Sequence, residues 1–161
     1  METTRKDLIQ GRFAKIRRIL DAIIERLTPD LVDWAPAEGM RTVSGQILEI
    51  ASVEISLVPR LRDGKDLSDP EIEAIAGDCR TLEGLKRLLV DVRSETLGYL
   101  DSLSESELAE EVTYCGAWFG SYWRPTMPRA ELFLNIAEHE YYHVGQLISY
   151  LWFRGDDPYK W

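Results

Sequence analysis

"AEHEYYHVGQLISYLWFRG", residues 137–155, contains both histidines of the chain. His139 and His143 stand four apart with Glu140 directly after the first, so the stretch spells H-E-x-x-H, the pattern by which zinc proteases are recognised. Leu132, Ile136, Leu147 and Leu151 continue the same spacing on either side, which predicts one amphipathic helix with the histidines on its apolar stripe. Thr126 as cap and Pro128 in the first turn mark its start; Arg154, Gly155 and Pro158 mark its end. Side chains four apart on a helix lie one above the other, so the two imidazoles project together toward the core. A buried pair of imidazoles is costly unless each finds a partner, and a shared metal ion satisfies both.

Three more helices follow from the same periodicity. Ile9, Phe13, Ile16, Leu20, Ile23 and Leu27 form one seam, closed by Thr28-Pro29-Asp30. The breaker-rich loop "DWAPAEGMRT" (33–42) precedes a second helix over 43–62, carrying Val43, Ile47, Ile50, Leu57 and Leu61, with Glu54 where another apolar residue is due. After "RDGKDLSDPE" (62–71) and a short helical turn over 71–76, a third seam runs through Leu82, Leu85, Leu89, Val92, Thr96, Tyr99 and Leu103. The segment 104–128 holds one further helical turn, then an aromatic and glycine-rich stretch. There Trp118, Phe119, Tyr122 and Trp123 are expected to cover one end of the core, with a short hairpin as one available form. Four long amphipathic helices and few strand signals predict an all-α, up-down four-helix bundle formed by a single domain, residues 1–161.

Composition narrows the function classes. With 45% hydrophobic and 29% charged residues the chain is that of a globular protein. A net charge of −9 argues against nucleic acid, and the local cluster Arg12, Lys15, Arg17 and Arg18 reads as a solvated helix face. The N-terminus lacks the apolar core of a signal peptide, and no stretch approaches the roughly 18 apolar residues of a membrane span. Cys79 and Cys115, far apart and without C-x-x-C spacing, read as free thiols in a reducing cytoplasm.

A zinc protease needs a third protein ligand in a set position downstream, and neither histidine nor glutamate follows His143. The third ligand must come from upstream, where the second helix offers Glu49 and Glu54. At roughly 100° per residue, Glu54 falls in the middle of the apolar seam and Glu49 points away from it, so periodicity alone selects Glu54.

Taken together, "LVDWAPAEGMRTVSGQILEIASVE" (31–54) and "HEYYHVGQLISYLWFRGDDPYKW" (139–161) resemble the DinB-like superfamily of small metal-binding four-helix-bundle proteins. Members share a W-x-P-type loop, a helix beginning [ST]-[VI], a histidine seven residues after that Ser/Thr, and a final H-x-x-x-H-x-G-Q helix. His139, His143, Gly145 and Gln146 match the last motif letter for letter. Counted from Thr42, the family's histidine position holds Glu49. The resemblance therefore implies a triad of Glu49, His139 and His143 between the second and fourth helices, with Glu54 as its rival.

A carboxylate beside two histidines suits zinc or nickel, and also iron or manganese. The resemblance further implies a metal-dependent enzyme of small-molecule chemistry: a thiol-dependent S-transferase, or a related hydrolase or isomerase, using a low-molecular-weight thiol. A non-catalytic bundle with a structural metal is the alternative, and a zinc protease the third reading. On this parsing Glu140 becomes a bystander, while a homodimer through the aromatic tail from Trp152 to Trp161 is expected.

Overall fold

The computed structural model describes residues 3–77, 79–113 and 126–161. Helix α1, Arg5–Ile24, opens with a reciprocal capping box between Thr4 and Asp7, and buries Ile9, Phe13, Ile16, Leu20 and Ile23 on one stripe. Helix α2, Val43–Asp63, is capped by the Thr42 hydroxyl, which accepts from Gly45 N–H at 3.0 Å. It ends where Gly64 turns left-handed at φ 65°. Short α3 (Asp69–Ala76) leads to α4 (Leu82–Ser102), and short α5 (Glu105–Ala109) follows. Strand β1 (Glu111–Thr113) pairs antiparallel with β2 (Thr126–Pro128), Val112 opposite Met127, before the long α6, Arg129–Phe153.

The last helix starts later than the sequence predicts. Thr126 belongs to β2 rather than to a cap, and Arg129 N–H bonds to Glu110 C=O at 2.9 Å. A neighbouring strand outcompetes the local capping signal. Trp118, Phe119, Tyr122, Trp123 and Cys115 lie outside the described residues.

The chain is mostly helical, and its four long helices pack pairwise. Helix α1 lies against α6 and α4, and α2 lies against α4 and α6. Consecutive α1 and α2 are diagonal, which corrects the expectation of an up-down order in which each helix lies beside the next. The loop between them is the reason. Trp34 sits edge-on to Tyr150 at 5.9 Å and near Phe153 at 6.2 Å, so the W-x-P loop crosses the end of α6 before α2 begins. Backbone bonds Val43 N–H to Trp34 C=O (3.0 Å) and Ser44 N–H to Val32 C=O (2.8 Å) fix that crossing.

An ion cluster at the centre takes one charged side chain from each long helix. Arg93 of α4 grips Glu54 of α2 with two bonds, 2.8 and 2.9 Å, and Glu140 of α6 with one of 2.5 Å. Arg17 of α1 reaches Glu140 at 2.7 Å and Glu54 at 3.3 Å, while Thr96 Oγ1 donates to Glu54 at 2.6 Å. Arg17 is thus no part of a solvated basic face, although Arg12, Lys15 and Arg18 are exposed. Burial works against the Arg93 charge, but the bonds and charges of Glu54 and Glu140 outweigh it and raise its pKa. Among the described residues no helix is long and apolar enough to cross a membrane. The C-terminal aromatics fold back on the chain in part, since Trp161 Nε1 donates to Asp156 and the Arg26 guanidinium lies over its ring. Phe153 and Tyr159 stay exposed.

Candidate functional site

His139 and His143 are both buried on the face of α6 that meets α2. Their Nε2 atoms face each other at 3.0 Å. His143 Nδ1 donates to Gln46 Oε1 at 2.5 Å; Gln46 Nε2 donates to Tyr150 Oη at 3.0 Å; Tyr150 Oη donates to the Arg41 carbonyl at 2.9 Å. Each donor in this relay has one acceptor, so the order fixes the tautomer: the proton of His143 sits on Nδ1 and its Nε2 lone pair points at His139. Burial lowers the pKa of both imidazoles. For His139 the value falls to about 3, with the charges of His143 and Arg41 adding to the effect of burial. For His143 the nearby Glu49 carboxylate opposes the fall. Both rings are neutral at pH 7, the state in which an imidazole nitrogen can ligate a metal.

Two nitrogens each about 2.0–2.1 Å from one ion lie roughly 2.9–3.4 Å apart, so the observed separation fits a shared metal. The Gln46 bond supplies the outer partner that a ligating histidine normally has. The third position is different. Glu49 lies three residues after Gln46, hence on the same face of α2, and its charge is felt by His143. Its carboxylate is turned to the Arg41 guanidinium, with which it forms an ion pair. Among the described residues, no three histidine, cysteine, aspartate or glutamate side chains form a ready ligand cluster.

Glu54, the choice of periodicity, is held by Arg93, Arg17 and Thr96 instead. Glu140 is held by Arg17 and Arg93 and so is unavailable as the base that an H-E-x-x-H protease requires. It is no bystander either, but a core ion-pair residue. A groove of about 580 Å³, lined by Arg17, Leu89, Arg93 and Leu97 among others, lies between α1 and α4, away from the histidines. Gln46 and Arg41 were missed from the sequence. A glutamine beside the α2 seam, one turn before Glu49, is the signal that could have found Gln46; nothing in the sequence marks Arg41.

A sequence profile of the DinB superfamily matches residues 12–147. The chain belongs to the DinB superfamily. Two solved structures share its fold. One is a DinB-like protein, YjoA, from Bacillus subtilis, with 18% identity, a TM-score of 0.61, and coverage of 92% of this chain and 90% of that one. The other is the colibactin self-resistance protein ClbS in complex with double-stranded DNA, with 15% identity, a TM-score of 0.65, and coverage of 91% and 95%. No curated protein matches this DinB chain.

The ClbS complex overturns the exclusion of nucleic acid drawn from net charge. A whole-chain charge of −9 averages over all faces, whereas DNA meets only one of them.

Proposed function

We propose that this DinB protein is a metal-dependent enzyme of small-molecule thiol chemistry, with His139, His143 and Glu49 holding a divalent ion, zinc or nickel before iron or manganese. The observation that carries the reading is the pair of Nε2 atoms 3.0 Å apart, with His143 oriented by Gln46. A divalent ion held there supplies Lewis acidity that lowers the pKa of a thiol and keeps it as thiolate. The chain's own residues do the rest. Gln46 sets the tautomer, Tyr150 anchors Gln46, and the apolar packing of α2 on α6 keeps water from solvating the imidazoles. Four long helices packed as a bundle, with this centre between α2 and α6, supply the rigid frame such a site needs.

Zinc-loaded protein should transfer a low-molecular-weight thiol to a chromogenic electrophile, and lose that activity in chelator while its far-UV circular dichroism is unchanged. Metal-dependent stabilisation without any transfer would favour a structural metal in a non-catalytic bundle.

DNA contact is a second reading, favoured by the ClbS complex. The exposed Arg12, Lys15 and Arg18 on α1 form the face it would use. Fluorescence anisotropy of a labelled duplex should rise with protein and fall with salt; a flat titration at low salt sinks this reading.

A further inference from the structure

The Arg41–Glu49 ion pair stands one turn along α2 from Gln46, the partner of His143, and the metal reading gives Glu49 a second claimant. Both side chains are reachable from solvent, Arg41 at 52% and Glu49 at 39% exposure, whereas the imidazoles behind them are buried. The position of Arg41 is not loose. Its carbonyl accepts from Tyr150 Oη, the last link of the relay that also sets His143, so the backbone carrying this guanidinium is tied to the site. Among the described residues, Arg41 forms its ion pair with a carboxylate, that of Glu49. Guanidinium and carboxylate match as a planar fork and a two-oxygen acceptor.

Building on the metal reading, we propose that Arg41 is the specificity-determining residue of this site. Its guanidinium pairs with Glu49, and takes the carboxylate of an incoming thiol when Glu49 turns to a metal. Glu49 Oε2 is the oxygen paired with the Arg41 guanidinium, so turning that carboxylate toward the imidazoles loosens its hold on Arg41. The exchange also makes the site selective. A cation left beside the histidines favours a thiol bearing a carboxylate over a neutral thiol of the same size.

Two measurements on the full chain test this. The first is zinc affinity by competition with a chromophoric chelator, for wild type, Arg41→Gln, Glu49→Gln and the double variant. Removing the competitor should tighten zinc binding by roughly fivefold in Arg41→Gln, the scale of a half-exposed ion pair. The gain should vanish in the double variant, which should match Glu49→Gln. The second is the absorbance of cobalt-loaded protein titrated with 3-mercaptopropionate and with 2-mercaptoethanol. Arg41→Gln should weaken the first thiol by roughly fivefold and leave the second unchanged. Arg41→Lys should recover part of the preference, because the charge is kept and the fork is lost.

If zinc binds wild type but Arg41→Gln changes neither its affinity nor the ratio of the two thiols, the inference is wrong and the metal reading stands. If neither wild type nor Arg41→Gln takes zinc, both fall. Thermal melting of metal-free Arg41→Gln checks that the variant is folded, as expected for a half-exposed side chain.

Discussion

His143 can turn its bare Nε2 toward His139 only because Gln46 takes the proton on the other nitrogen. Gln46→Leu keeps the volume and removes that acceptor, so zinc affinity should fall by about 10–100-fold, the usual effect of deleting an outer partner of a metal-bound histidine. Chelator competition measures it, and an unchanged affinity would show that the relay has no part in the site. The same burial makes an acid-stability prediction. His139 keeps a pKa of about 3 in the fold against an ordinary 6.5, so as pH falls the unfolded chain takes up its proton first. The stability present above pH 6.5 is therefore lost progressively between about 6.5 and about 3, and His143 acts in the same direction. Urea midpoints of metal-free protein across that range should fall less steeply in His139→Phe than in wild type. At this scale the sequence was partly legible. The helical spacing brought the two histidines together without any other information. It could not distinguish a seam glutamate awaiting a metal from one paired with arginine, because that depends on Arg93 and Arg17, 39 and 37 positions away.

Arg93, Glu54, Glu140 and Arg17 bind the four long helices to one another and set which face of α6 meets α2. Glu140 follows His139 directly, so a quarter-turn of α6 that moved one out of the ion cluster would move the other out of the site. Arg93→Met strands two buried carboxylates with Arg17 as their remaining cation and should cost about 3–5 kcal/mol in urea unfolding. Replacing all four ionic side chains by apolar residues of similar size should cost far less, since an intact buried ion cluster is worth little more than good packing. Equal losses in the two variants would mean that packing, and not charge, dominates there. The seams of α1, α2, α4 and α6 were readable from their three- and four-residue steps, and their observed spans follow them closely. The start of α6 was not readable, because the β1–β2 pairing that displaces its cap joins residues from two separate stretches.

At the scale of the molecule, helix count and helical class were legible, but helix order was not. Periodicity says which face of a helix is buried and nothing about its neighbour; the Trp34 loop crossing the end of α6 decides that. Net charge could not exclude nucleic acid for a related reason, since it carries no information about where the charges sit. Membership of the DinB superfamily and the fold shared with YjoA and ClbS fix the frame, while the proposed chemistry would rest on three side chains from two helices. The most direct test is therefore elemental analysis of protein purified without a metal-affinity tag, alongside His139→Ala/His143→Ala. Wild type should carry about one zinc or nickel per chain and the double variant none. Wild-type protein that is folded and metal-free after incubation with both ions, or a double variant that retains the metal, would contradict the metal site.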